Sequence, residues 1–471
     1  MGRKLKIGGG FMIIASRYMQ SIPYDESSSI IWHSIFGRPM LISNEIAEIL
    51  SKYSENQECF NINDLFSPDY DKDEIKEATQ LLCKANILLP GNTTSEGYNE
   101  DYYIEKIFEK HNVSAGNKIK NLSLIMSEEC PFRCKYCIHF ANSNHQYNPE
   151  KKMSFKIAKD SIDYYLESIS SRHLKKAYIN FGGGEPLLNW KIIKQLLPYI
   201  KECSNKFGIP IKIGINTNLA LLTIDIAKTL IQYGVEIAAS LDGTKNGNDA
   251  VRLTKDLGGT YDQIIRGFDI MRELNHPLDG FAMTVTEDNF SDIDTPLVDW
   301  AASRGMSEIR IDIDVVGAVD IPIDEIVSKL VKVRQYAKTK GISVIGFWSR
   351  PAENLGLTPE EEDVGFCGGE RGNSICIAPS GQVFPCGYSN YELGKYTEIP
   401  HIFTKKTYLD LISHRNILNL SECKDCPILG FCRGGCMITK ETAENAPSKF
   451  SRMCELYLAM TYEILRESVE G

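Results

Sequence analysis

Along most of the chain, short apolar runs alternate with longer stretches whose apolar residues recur at helical spacing. Leu122–Met126, Ala177–Phe181, Ile209–Asn216, Val235–Ser240, Phe281–Thr286 and Ile309–Ile313 read as strands. Helix-length segments such as Phe155–Ile169 and Tyr261–Leu274 lie between them. Six such repeats predict an α/β fold, a parallel sheet curved into a partial (β/α)6 barrel over residues 118–345. Ligands of parallel α/β sheets gather at the carboxyl ends of the strands, so the residues that follow each run are the ones to search for chemistry.

The pattern changes on both sides of this region. Residues 1–95 combine apolar stretches at Phe11–Ala15 and Ile30–Phe36 with helical patterns at Ser43–Lys52 and Asp73–Leu82, then the apolar Ile87–Leu89. Ser43 is a cap for the first helix, and acidic residues open the second. An α+β module of this size and order is winged-helix-like. Pro90–Glu100 is rich in Gly, Asn, Thr and Ser, and residues 96–117 are assigned as a linker. Beyond Gly346 the periodicity fades into loops, so residues 346–471 are expected to need metal staples in place of a side-chain core.

Length and charge narrow the classes. A chain of 471 residues exceeds one compact core and predicts two or three domains. No run of eighteen apolar residues occurs, and the first thirty residues lack the order of a signal peptide, so a cytoplasmic protein without a membrane span is expected. The net charge of −10 argues against nucleic acid or an anionic membrane as the main partner. Residues 1–100 hold nine Lys and Arg against fourteen Asp and Glu, which disfavours DNA for the winged-helix-like module.

Fourteen cysteines are many for a cytosolic chain, where thiols stay reduced, and metal binding is the first reading. Cys59, Cys83 and Cys203 stand alone and read as small hydrophobes. After the first barrel strand comes Cys130-Pro-Phe-Arg-Cys134-Lys-Tyr-Cys137. Three thiolates on one short loop hold three irons of a cubane cluster and leave the fourth iron open. A structural zinc site wants four protein ligands, and none is apparent as the fourth, although His139 and His145 lie nearby. The C-terminal third places Cys367, Cys376 and Cys386 around Gly381, then Cys423-x2-Cys426-x5-Cys432-x3-Cys436, and finally Cys454. Eight cysteines suit two four-thiolate clusters or two zinc sites. The upstream loop tips the reading to iron.

The second strand ends in Phe181-Gly-Gly-Gly-Glu-Pro186, where Gly182, Gly183 and Gly184 expose backbone to a ligand and Glu185 adds an acceptor. A phosphate loop would require Lys and Ser or Thr after the glycines, and Pro186-Leu187 follows instead. A plain tight turn is the simpler alternative. The fourth strand ends in Ser240-Leu-Asp-Gly243, followed by Arg252 and Gly258-Gly-Thr-Tyr261. Ser240 and Arg252 offer a hydroxyl and a charged fork to a carboxylate ligand, though Arg252 equally fits a solvated loop.

Taken together, these motifs resemble the radical SAM superfamily with a C-terminal SPASM extension, from about residue 118 to the end. The resemblance implies that Cys130, Cys134 and Cys137 carry the [4Fe-4S] cluster that binds S-adenosylmethionine. Tyr136 would help frame the adenine, Gly182–Glu185 would meet the methionine amino group, and Ser240 with Arg252 would lie near its carboxylate and ribose. Asn218 would face the cofactor from the third strand's loop. Reduction would release a 5′-deoxyadenosyl radical that takes a substrate hydrogen, the protein supplying position and solvent exclusion. Two auxiliary [4Fe-4S] clusters would make three in all, one on Cys367, Cys376, Cys386 and Cys436, the other on Cys423, Cys426, Cys432 and Cys454. Without Cys376, one iron would be open to a substrate thiolate.

The N-terminal unit is similar to precursor-recognition domains that add a leader peptide as a strand to a sheet edge. The expected function is therefore maturation of a ribosomally made precursor peptide by thioether links, as in sactipeptide and ranthipeptide synthases, with a flavodoxin or ferredoxin as reductant. Carbon–carbon crosslinking uses the same layout. Anaerobic sulfatase-maturing enzymes share the eight-cysteine extension, but they begin close to their first cluster and carry an acidic base where Gly387 follows Cys386. An iron-sulfur electron carrier would have no need for the glycine run and the six-strand scaffold, and a regulator with a winged-helix head should have a basic head where this one is acidic.

Overall fold

The computed structural model describes residues 12–66, 71–90, 105, 119–138, 151–171, 173–314, 319–355, 366–370, 372–414, 420–439 and 447–469. Apart from Glu105, the expected linker over 96–117 lies outside the described residues, as do His139 and His145.

Six parallel strands form where the apolar runs lie: β7 (Asn121–Ser127), β8 (Ala177–Gly183), β9 (Ile211–Thr217), β10 (Glu236–Ser240), β11 (Gly280–Val285) and β12 (Glu308–Ile313). Each pairs with the next in order. Helices between them bury one apolar stripe on the sheet. In Trp190–Phe207, for example, Ile193, Leu196, Leu197, Ile200 and Cys203 recur at spacings of three and four. Cys203 is thus a small core residue, while Cys59 is exposed. The alternate residues of each strand line the opposite face of the sheet.

Two edges differ from the sequence expectation. β13 (Ser343–Ile345), only three residues long, extends the sheet beyond β12; so short a run carries too few periods to be seen. On the other side the cysteine-rich third supplies β14 (Ser374–Ile377), which lies parallel to β7 and continues antiparallel into β15 (Gln382–Phe384) and β16 (Gly394–Lys395). The result is one ten-stranded sheet. Buried residues of this third, among them Phe366, Ile375, Ile377, Val383, Ile399 and Tyr457, join the same apolar cluster as the barrel. The segment, expected to lack a side-chain core of its own, shares the barrel's core.

The N-terminal part forms two three-stranded sheets. β1 (Met12–Ala15) lies between β5 (Phe60–Asn61) and β6 (Leu88–Pro90), and β3 (Ser28–His33) lies between β2 (Met19–Pro23) and β4 (Gly37–Ser43). The helix Asn44–Asn56 is capped by Ser43, whose hydroxyl accepts from the Ile46 amide at 3.4 Å. The helix Lys72–Lys84 begins with a capping box on Asp71 and Glu74.

The β3–β4 turn is packed onto the last cysteine-rich loop. Trp32 Nε1 donates to the Pro427 carbonyl at 2.9 Å, and the Gly430 amide to the Ser34 carbonyl at 2.9 Å. Ile35 and Phe36 share a small apolar cluster with Leu420, Cys423 and Leu429. The approach is so close that a Cβ at Gly430 would stand 2.2 Å from the Ile35 carbonyl oxygen.

Candidate functional site

The cysteine loop Cys130–Cys137 follows β7 and is gripped from two sides. On one side, the Gly184 amide donates to the Ser127 carbonyl at 2.7 Å and the Glu185 amide to the Glu129 carbonyl at 2.8 Å. The glycines allow this contact: Gly183 has φ +128°, and its Cβ would lie 2.2 Å from Ser127 O. On the other side, the segment after the helix Lys245–Val251 pairs with the loop, Arg133 N donating to Leu253 O at 2.6 Å and Lys135 N to Val251 O at 2.9 Å. Arg252 is thereby carried up to the cysteines.

Glu185 does not face outward as a ligand acceptor. Its carboxylate is fully buried and accepts from Thr217 Oγ1 at 2.7 Å, the Asn218 amide at 2.9 Å and the Leu187 amide at 3.0 Å. Burial pushes the carboxyl up to about 7, against the three donors that favour its charged form. It ties the end of β8 to the end of β9, and the neighbouring Asn218 then turns Nδ2 toward Cys130 Sγ at 3.5 Å. The expected polar contacts of the glycine run are therefore backbone ones.

Arg252 is buried and is not a solvated loop charge. Its Nε lies 2.7 Å from Asp242 Oδ2, an ionic contact without the alignment of a hydrogen bond, while Nη2 donates to Asp242 Oδ1 at 3.3 Å. Nη1 faces Cys134 Sγ at 4.0 Å. Burial works against the guanidinium's charge, but Asp242 outweighs it and holds the pKa raised. Tyr136 donates its hydroxyl to Asp242 Oδ2, and its ring lies 5.6 Å from the Arg252 guanidinium. The Thr284 amide of β11 also donates to Asp242 Oδ1, at 2.8 Å. Asp242 is the residue that sequence reasoning missed: a fully buried acid holding the cysteine loop, Arg252 and β11 together. Its signal was its place in Ser-Leu-Asp-Gly, directly after a strand. Ser240 stands half-buried at the end of β10, and its hydroxyl makes no hydrogen bond among the described residues.

The other cysteines fall into two sets. Cys386 interacts electrostatically with Cys436 and Cys367, and Cys376 with Cys386. Cys432 interacts in the same way with Cys454, Cys426 and Cys423. In the loop, Cys130 feels both Cys134 and Cys137. Burial holds the thiols of Cys130, Cys386 and Cys454 up at about 12. Metal binding there would release protons. Among the described residues, no three His, Cys, Asp or Glu side chains meet the spacing of ligands around a single ion. The donor chemistry fits iron-sulfur clusters, whose thiolates sit on separate irons and need not crowd one centre.

A parallel sheet with a three-cysteine loop after its first strand defines a radical SAM fold. Residues 124–295 match the model of the family described as the Radical SAM superfamily. Over 437 residues the chain is 28% identical to the radical SAM cyclopropyl synthase TigE of Paramaledivibacter caminithermalis, covering 90% of this chain and 89% of that protein. It is 25% identical over 354 residues to the cysteine-type anaerobic sulfatase-maturating enzyme of Clostridium novyi, which covers 69% of this chain and 90% of that one. Among solved structures, native anSMEcpe with bound AdoMet matches 74% of this chain and 99% of its own, with a TM-score of 0.60 at 15% identity. Streptococcus suis SuiB bound to precursor peptide SuiA matches 91% and 96%, with a TM-score of 0.52 at 15% identity. These two likenesses speak to the fold. Among the described residues, no helix is long and apolar enough to cross a membrane.

Proposed function

We propose that this chain is a radical SAM maturase that takes a hydrogen from a ribosomally made precursor peptide and closes a new bond at the carbon so exposed. The observation that carries the reading is the alignment with TigE, which spans 90% of this chain and so reaches well beyond the 124–295 region. Cys130, Cys134 and Cys137 would hold the cluster that binds S-adenosylmethionine. Cys367, Cys376, Cys386 and Cys436 would hold one auxiliary [4Fe-4S] cluster, and Cys423, Cys426, Cys432 and Cys454 the other. When bound, these groups supply hydrogen abstraction by a 5′-deoxyadenosyl radical and a place for the electron left after bond closure. The protein's own part is orientation. Asp242 fixes Tyr136 and Arg252 beside the cysteine loop, Asn218 is turned toward Cys130, and the half-buried Ser240 hydroxyl would meet the cofactor.

Of the products expected from sequence, carbon–carbon closure has specific support over a thioether. The full-length relative is named a cyclopropyl synthase. Cys376 lies beside Cys386, which supports four protein thiolates in that set and leaves no iron for a substrate thiol. The sulfatase-maturing reading has weaker support, since that relative covers only 69% of the chain and Gly387 stands where that class carries its acid.

The leader of the precursor would add as a strand to the winged-helix-like N-terminal part. β4 is an edge of its sheet, and Leu41 on it and Leu81 on the helix Lys72–Lys84 are 44% and 50% exposed. A cytoplasmic flavodoxin or ferredoxin would supply electrons. The test is anaerobic incubation of reconstituted protein with reductant, S-adenosylmethionine and the peptide encoded beside it, read by mass spectrometry. Loss of two hydrogens per bond with every cysteine still open to alkylation supports carbon–carbon closure. Blocked thiols would establish the thioether instead. An untouched peptide with the cofactor cleaved would refute the substrate.

A further inference from the structure

On β12 the side chains alternate sharply. Ile309, Ile311 and Ile313 are buried, while Arg310 and Asp312 are half-buried on the opposite face of the sheet. The register places Ser240 opposite Ala282 and Ala282 opposite Arg310, so the three stand in one row across β10, β11 and β12. A small residue in the middle leaves room between the hydroxyl and the guanidinium.

Arg310 is held rigidly. Its Nε donates to Asp312 Oδ2 at 2.6 Å, and its guanidinium lies 4.7 Å from the centre of the Phe347 ring. Asp312 is itself fixed, its Oδ1 accepting from the Phe347 amide at 2.6 Å. The two terminal nitrogens of Arg310 have no hydrogen-bond partner among the described residues, although the side chain is only 30% exposed. Tyr388 follows Cys386 of the first auxiliary set by two residues. It is 52% exposed, yet it interacts electrostatically with Arg310, with Cys137 of the loop and with Cys386 and Cys376 of the first auxiliary set. Arg310 thus shares Tyr388 as an electrostatic neighbour with Cys137 of the loop and with Cys386 and Cys376.

We propose that Arg310 is a positioning residue that binds a backbone carbonyl of the peptide residue being modified, with Tyr388 beside it. The proposal rests on the reading of the chain as a peptide maturase. Asp312 already balances the guanidinium's charge, so the pair offers directed N–H donors without a net charge to be matched. That suits the neutral oxygen of a peptide bond better than a carboxylate. Asp312 and Phe347 remove the rotamer freedom that a flexible donor would lose on binding.

The experiment compares wild type, Arg310→Gln and Arg310→Lys, each reconstituted with iron and sulfide and matched for cluster content and melting temperature. Peptide conversion and 5′-deoxyadenosine are measured together, with and without the neighbouring-gene peptide. Arg310→Gln is expected to lower kcat/KM for the peptide roughly 10- to 100-fold. Cofactor cleavage without peptide should stay within about twofold of wild type, so more 5′-deoxyadenosine is formed per product. Arg310→Lys, which keeps the pair with Asp312 but loses the fork, should restore part of the coupling. Equal loss of peptide-independent cleavage would assign Arg310 to the cofactor and overturn the proposal. Unchanged coupling in both variants, at wild-type turnover, would overturn it too. A wild type that leaves the peptide untouched would overturn the maturase reading and this proposal with it.

Discussion

The cysteine loop is gripped from two sides, and the two grips are built from different physics. On the β8–β9 side, one buried carboxylate gathers three donors and has no ion-pair partner among the described residues. On the β10–β11 side, a buried carboxylate is paired with a buried guanidinium, and a tyrosine and a backbone amide complete the set. The first grip fixes backbone, the ends of two strands. The second fixes a side chain, delivering Arg252 to within 4.0 Å of Cys134 Sγ. Loss of the first should loosen the loop's support, and loss of the second should leave a charge stranded in the interior.

The largest effect is therefore expected at Asp242. Asp242→Ala leaves Arg252 buried without its counter-charge and deprives Tyr136 and Thr284 N of their acceptor, at a cost of about 3–5 kcal/mol. Anaerobic denaturant unfolding of the reconstituted protein measures it. A loss under about 1 kcal/mol would show that Arg252 finds water or another partner, and the contrast between the grips would collapse.

Glu185 gives the sharper contrast because its effect depends on pH. Its folded pKa, about 7, lies above the ordinary 4.5. The folded state therefore binds more protons between those values, and stability is fully present below about 4.5 and declines as pH rises to about 7. The total decline is roughly 3 kcal/mol. Glu185→Gln carries no titrating group and should remove that slope, so melting curves of the two proteins should converge or cross as pH rises. Parallel curves across the window would mean that the three donors hold the carboxylate charged throughout.

These grips also mark where sequence reading succeeded and stopped. The six barrel strands were legible because their short apolar runs recur between helix-length segments of helical spacing, and the glycine run and cysteine loop were legible because they follow those runs directly. The inward turn of Glu185 was not, since an acid after glycines reads alike whether it meets a ligand or Thr217. Asp242 was passed over because its importance lies in Arg252, ten positions on, reaching back through the loop after the helix Lys245–Val251. β14 was hidden for a related reason: its partner β7 lies some 250 residues upstream, and a four-residue strand has no periodicity of its own. Arg310 sits inside a run that reads simply as strand, and only the register with Ala282 and Ser240 gives its orientation a meaning.

Gly183 tests whether backbone contact is what the first grip supplies. Gly183→Ala must bear a Cβ at φ +128° and 2.2 Å from Ser127 O. Strain and overlap together are expected to cost about 2 kcal/mol or more and to shift β7 against β8. Hydrogen exchange at the Gly184 and Glu185 amides would rise first, since both donate to the displaced Ser127–Glu129 backbone. Unchanged exchange there would place the glycine's importance elsewhere.

The smallest effect is expected at Asn218, where the first grip comes closest to the chemistry. Asn218→Ala removes the amide that points at Cys130 Sγ from 3.5 Å, while Glu185 still holds the backbone of that position. Stability should fall by only about 1 kcal/mol. The reduction potential of the cluster proposed for Cys130, Cys134 and Cys137 should move to more negative values, because a donor to a ligating sulfur favours the more negatively charged, reduced state. Redox titration followed by electron paramagnetic resonance reads that shift separately from the proposed auxiliary clusters. A potential equal to wild type with stability equally unchanged would mean that the Asn218 amide serves the loop only as packing. A stability loss as large as that of Asp242→Ala would mean that the two grips are not different in kind after all.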